Sequence, residues 1–277
     1  MSVRPLEIGV IVGHCDPLGG IAKVKALGLN NCQMGVPDPE WRSGEKLEQI
    51  KTALREAGIK VTTVFCGFPG ESYADIPTIH ATVGLVPPPY REERLEMTRN
   101  HSDFAQELGV DVLAAHIGFV PEDRQHEDYA VTVKAVQDVC EYCDSNRQKF
   151  ALETGQETAK TLIRFMKDVN RPNLGVNFDP ANMMMYGSGD PMEALDLVGP
   201  WVIGAHAKDG DYPAAPGTLG KEYPLGLGKV DFRTFIKKLR EFEYTGPLTI
   251  EREISGDQQI ADIREAIAML ERLKRET

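Results

Sequence analysis

The chain has 277 residues, 42% of them hydrophobic and 26% charged, and a formal net charge of −11. A chain this long buries roughly three quarters of its unfolded surface, so its core needs no disulfide or metal staples. The acidic balance speaks against a nucleic-acid backbone as partner, because a phosphate chain demands a basic footprint. No apolar run approaches the roughly 20 residues of a membrane span, and Met1 to Glu7 show no signal-peptide pattern. Five scattered cysteines, an odd count, suggest reduced thiols and make the cytoplasm the expected compartment. Cys140 and Cys143 form a C-x-x-C inside a helical pattern with no second pair, and read as ordinary helix thiols.

Taken in order, apolar runs and helical periods alternate without a break. Residues 6–13 form a β-branched apolar run and so a strand. Asp16-Pro17 supplies a cap and a first-turn proline for a helix reaching Leu27. Residues 29–35 are a weaker strand, 45–57 a helix ending at Gly58, and 59–66 a clear strand. Residues 67–90 hold several prolines and glycines, with at most one helical turn near Pro77. A structureless segment of that length suggests a functional role such as a lid. A helix at 91–108, a strand at 110–116 and a helix at 125–145 follow. The strand 150–153 runs into Thr154-Gly-Gln-Glu157, a capping-box pattern expected to open the next helix. Strand 174–178 precedes a helix capped at Asp190, and strand 202–206 precedes a Gly/Pro-rich loop to Val230. Asp231 caps a helix ending near Phe242. Strand 247–251 is the last, and Ser255-Gly-Asp-Gln258 is read as the cap of a final helix reaching Leu273.

Eight strand–helix pairs with no composition break predict one domain, residues 1–277, folded as a closed (β/α)8 barrel of the TIM type. The rival doubly wound sheet would favour a glycine fingerprint after the first strand, whereas Gly13-His-Cys-Asp-Pro-Leu-Gly19 is not G-x-G-x-x-G. In a barrel, chemistry gathers at the carboxyl ends of the strands. The last four strands end in Glu153, Asp179, His206 and Glu251. Each of these alone reads equally well or better as a cap, a salt bridge or a core histidine. Together they place one metal-competent side chain on each of four adjacent strands. Two Glu, one Asp and one neutral His suit a single Mn²⁺, Mg²⁺ or Co²⁺, with Zn²⁺ also compatible. Acids that close would repel without a cation between them.

These strand ends, with His206-Ala-Lys-Asp209 and Gly226-Leu-Gly-Lys-Val-Asp231-Phe, resemble the sugar phosphate isomerase/epimerase family of the xylose isomerase-like barrel superfamily. The resemblance covers nearly the whole chain and is poorly specific for substrate. It implies that Glu153, Asp179, His206 and Glu251 bind one divalent cation, and that the substrate is a small sugar or sugar derivative. It further implies that Glu153 and Glu251 transfer protons through a cis-enediolate. Return of the proton to the opposite face would give an epimer, and to the neighbouring carbon an aldose–ketose isomer. Relatives of this kind are often dimers or tetramers, which leaves room for a homo-oligomer.

Four further residues are candidate substrate contacts. His116 ends the fourth strand, and His14 follows the first. Lys208 shares the face of His206 by strand alternation; its other reading is an ion pair with Asp209. Asn182 stands where the superfamily often has histidine three residues after the aspartate. Asparagine is a poor metal ligand, which disfavours the multi-zinc endonuclease chemistry of some relatives. Met183 to Met185 are expected to cover apolar surface near the mouth. The alternatives to an isomerase or epimerase are a lyase acting on a keto-sugar or keto-inositol, and a sugar-binding barrel without turnover.

Overall fold

The computed structural model describes residues 6–277; most of the amino-terminal stretch read for a signal peptide lies outside them. Short apolar runs become strands and the amphipathic stretches between them become helices. The first half comprises β1 (Ile8–Val12), α1 (Pro17–Ala26), β2 (Asn31–Gly35), α2 (Gly44–Ala57), β3 (Lys60–Cys66), α3 (Ile76–Thr82), α4 (Arg91–Glu107), β4 (Val112–Ala115) and α5 (Glu127–Ser145). The second comprises β5 (Lys149–Glu153), α6 (Ala159–Val169), β6 (Leu174–Phe178), α7 (Pro180–Tyr186), α8 (Pro191–Val198), β7 (Val202–Ala207), β8 (Asp209–Gly210), β9 (Glu222–Tyr223), α9 (Phe232–Glu241), β10 (Leu248–Ile250) and α10 (Asp257–Glu276). β1 to β7 and β10 pair in parallel and close on themselves, β1 against β10, as the expected single-domain TIM barrel. β8 and β9 form a separate antiparallel pair over the rim. No helix among the described residues is long and apolar enough to cross a membrane. Cys140 and Cys143 are unpaired and buried in α5, as ordinary helix thiols.

Three local expectations are corrected. Thr154 does not cap a helix. Its hydroxyl accepts the Asp179 N–H (2.8 Å) and donates to the Asp179 carbonyl (3.0 Å), tying the end of β5 to the end of β6. The cap of α6 is Thr158, whose hydroxyl accepts the Thr161 N–H. Ser255 is likewise not the cap of α10; Gly256 occupies that place without a side-chain bond. The third correction concerns residues 67–90, which are pinned rather than loose. Asp75 caps α3 through the Thr78 N–H. The Leu85 and Val86 N–H groups both donate to the Ile117 carbonyl. Glu71 accepts the N–H groups of Phe68 and Gly84, and Arg94 donates to the Gly84 carbonyl. A segment whose buried backbone groups are this well paired is part of the scaffold.

Gly84 is where that segment touches the loop after β4. Its φ is +78°, and a Cβ there would lie 2.0 Å from the Ile117 carbonyl carbon. Backbone cannot give way as a flexible side chain can. Gly84→Ala should therefore destabilise the fold by about 2 kcal/mol or more, read as a lowered midpoint in urea unfolding.

Candidate metal centre

Each of the four strand-end residues is delivered by a different local device. Glu153 is the last residue of β5. Asp179 leaves β6 and caps α7, its Oδ1 accepting the Asn182 N–H at 2.9 Å, so that Oδ2 is free to point inward. His206 lies within β7, and Glu251 follows β10 with its N–H on the Ala207 carbonyl. One ligand atom from each falls within 4.8 Å of all the others. Three carboxylates meet one ring nitrogen: His206 Nδ1 is 2.8 Å from Glu153, 3.3 Å from Asp179 and 3.2 Å from Glu251. Glu153, Asp179 and His206 are buried, while Glu251 keeps some exposure.

The flanking candidates divide. His116, just past β4, places Nε2 2.7 Å from the second oxygen of Glu153. Phe65 packs beside both His116 and His206, and Tyr73 lies over His116. Lys208 is buried on the His206 face, as alternation predicts, but it does not pair with Asp209. Its ammonium lies 3.3 Å from Glu251, 2.6 Å from Glu253 and 3.1 Å from Asn182 Oδ1. Asp209 points the other way and accepts the N–H groups of Gly210, Gly226, Gly228 and Val230, anchoring the loop over the rim. Asn182 also faces Glu153, at 3.5 Å. His14 is exposed and makes no contact with the cluster. Met183 and Met184 are buried in α7, and Met185 packs on Gly210.

Charge explains the titration pattern. Burial would raise the Glu153 carboxyl, yet facing His116 and His206 hold it at about 2. Burial would likewise raise Glu251, but Lys208 and His206 keep it well below the ordinary range. Asp179 goes up, because burial outweighs the help of His206 and Lys208. Burial opposes charge on His206, but Glu153 and Glu251 push its pKa well above the ordinary value. Without a cation, a proton on the ring thus bridges the acids.

Two acids near the cluster escaped sequence reasoning. Glu253 completes the surroundings of Lys208. Glu157 is buried with Oε2 unpartnered, and burial raises it to about 7, partly offset by His116. Neither ends a strand, so the strand-end criterion passed over both.

The residues fit a single divalent ion. Their donor set is three oxygens and one nitrogen, and Glu251 Oε2 is buried yet makes no hydrogen bond of good geometry. The molecule is thus a (β/α)8 barrel with a metal-competent carboxylate–histidine cluster at its carboxyl rim. It belongs to the xylose isomerase-like TIM barrel family, whose sequence model matches residues 21–273. A xylose isomerase domain protein from Planctomyces limnophilus is 41% identical, with a TM-score of 0.94 over 98% of both chains. An uncharacterised protein from Methanocaldococcus jannaschii is 26% identical over 71% of this chain and 68% of its own. An L-ribulose 3-epimerase from Methylomonas is 25% identical over 56% of this chain and 54% of its own.

Two outcomes follow from this arrangement. A cation at 100 times its dissociation constant stabilises the native state by about 2.7 kcal/mol, so chelation should lower the melting temperature. An identical melting curve with and without EDTA would remove the ligand assignment. Lys208→Met leaves Glu251 without its buried counter-charge, a loss of about 3–5 kcal/mol. Urea unfolding of the chelated protein measures it, and added Mn²⁺ should recover part.

Proposed function

We propose that the protein is a divalent-metal-dependent isomerase or epimerase of a small sugar or sugar derivative, with Glu153 and Glu251 as the proton-transfer pair. The observation that carries this reading is an asymmetry among the three acids. Oδ1 of Asp179 is committed to the cap of α7, which suits this residue to holding. Glu153 and Glu251 instead have proton-bearing neighbours, His116 at 2.7 Å and Lys208 at 3.3 Å. The ketose 3-epimerases among the relatives support the same class of chemistry.

Glu153, Asp179, His206 and Glu251 would hold Mn²⁺, Mg²⁺ or Co²⁺, with Zn²⁺ a compatible alternative. When bound, such an ion polarises a ketose carbonyl and the hydroxyl beside it, and offsets the charge that develops there. A carboxylate held at about 2 is a weak base, so that acidification of the neighbouring C–H is required. One glutamate takes this proton to leave an enediolate, and the other returns one. Glu251 keeps some exposure, and His116 Nε2 sits 2.7 Å from Glu153, where the two can share a proton. Lys208 balances Glu251 so that its charge survives burial. Asn182 and His116 line the substrate's hydroxyls. Five unpaired cysteines fit action in a reducing cytoplasm.

The test is proton exchange. A panel of ketoses is incubated in D₂O with Mg²⁺-loaded protein, and loss of the signal from the proton on the carbon beside the carbonyl is followed by NMR. At least one sugar should exchange, and Glu153→Gln and Glu251→Gln should each slow exchange about 100-fold or more. A dehydrated product would assign a lyase instead. Cation binding without exchange of any sugar would leave a binding barrel.

A further inference from the structure

We propose that Gln33 and Asn177 form a positioning pair that holds His206 in the tautomer a cation requires; the inference rests on the metal reading above. Gln33 projects from β2 and Asn177 from β6, strands four apart in the eight-stranded barrel and so opposite one another. The two amides meet across the barrel axis, Gln33 Nε2 donating to Asn177 Oδ1 at 3.1 Å. Both side chains are buried. This interior is ordinarily filled by bulky aliphatic side chains, and two amides here are costly unless their polar atoms are used.

They are used on one ring nitrogen. Gln33 Oε1 lies 2.9 Å from His206 Nε2, and Asn177 Nδ2 lies 3.0 Å from the same atom. A ring nitrogen can bond only one of the two: Gln33 Oε1 when it carries a proton, Asn177 Nδ2 when it carries a lone pair. A cation on Nδ1 needs the lone pair there, which puts the ring proton on Nε2, and Gln33 Oε1 is the acceptor that receives it. The bond from Gln33 to Asn177 orients the glutamine, because reversing its amide would set two carbonyl oxygens against each other.

The backbone is shaped to this end. The ladder between β2 and β3 shifts register between Cys32 and Gln33, and that between β6 and β7 shifts between Val176 and Asn177. Such irregularities re-aim a side chain. Gly204, opposite Asn177, leaves the space the amide fills: a Cβ there would lie 2.2 Å from Asn177 Oδ1. Beneath the pair, a cavity of about 450 Å³ opens at the amino-terminal end of the barrel and reaches up to Gln33, Thr63 and Gly204. Gln33 thus stands between His206 and that cavity.

Titration calorimetry with Mn²⁺ on chelator-stripped protein tests this. Gln33→Leu should weaken binding about 10- to 100-fold. Gln33→Glu, which keeps the acceptor for Nε2–H but loses the donor to Asn177, should bind more tightly than Gln33→Leu. A merely structural role would lower the melting temperature of the stripped protein without moving the dissociation constant. Equal affinity for wild type and Gln33→Leu overturns the inference alone, as does a Gln33→Glu variant as weak as Gln33→Leu. No Mn²⁺ bound by wild type overturns the metal reading and this inference with it. Should Gln33→Leu not fold, ¹⁵N-histidine NMR of the Mg²⁺-loaded wild type decides. A proton coupled to Nε2 of His206 is expected, and a bare Nε2 refutes the assignment.

Discussion

Three carboxylates brought within hydrogen-bonding distance of one imidazole nitrogen, away from water, form the constraint on which the rim is built. Buried like charges at that spacing repel. A buried acid without its counter-charge costs several kcal/mol. The strands that deliver Glu153, Asp179, His206 and Glu251 are adjacent, so the fold itself brings the four side chains together. Positive charge must therefore be close: a proton on His206 in the stripped protein, an ion when one is bound, and Lys208 in both. The acids differ accordingly. Glu251 and Glu153 are held low by close cations, while Asp179 is raised by burial. Three chemically similar side chains thereby become three different groups.

The scaffold answers this strain by over-determining each acid. Asp179 is fixed through the cap of α7 and through both backbone bonds to Thr154. Glu153 is held between two histidines, and Glu251 between a histidine and a lysine. Preorganisation of this kind spares a site reorganisation when charge develops. The segment from 67 to 90 belongs to the same frame: Glu71 and Arg94 secure its backbone, and Tyr73 is laid against His116. Its prolines and glycines mark a fixed path, not a hinge.

Much of this was legible in residues alone because strand ends carry a strong signal. An apolar run closed by a single acid or histidine, repeated at βα spacing, identifies a barrel rim with no need of long-range information. Lys208 also followed from alternation, since side chains two apart share a face. Its partner did not follow. Asp209 is the neighbour in sequence, but the same alternation turns it toward the loop, and the true partners lie just past β10 and in α7. Thr154 misled for a related reason: the capping-box pattern is local, whereas its hydroxyl was engaged by β6. His14 was read as ending the first strand, but β1 stops at Val12 and His14 lies two residues beyond it, exposed.

Gln33 and Asn177 show where such reading stops. Asn177 lies two residues before Asp179, so its inward direction was available from period two. That it should meet a glutamine from the opposite strand was not, because contact across a barrel axis depends on closure and stagger. Register shifts at both positions add a twist that no pattern of hydrophobicity encodes. The interior polarity is nevertheless intelligible once the rim is known. A ring nitrogen that must face three acids has to be held from its other edge, and that edge points down the barrel. An aliphatic layer there would leave the imidazole free to choose its tautomer and its angle. The amides remove that freedom, and Gly204 is the small residue that lets them in.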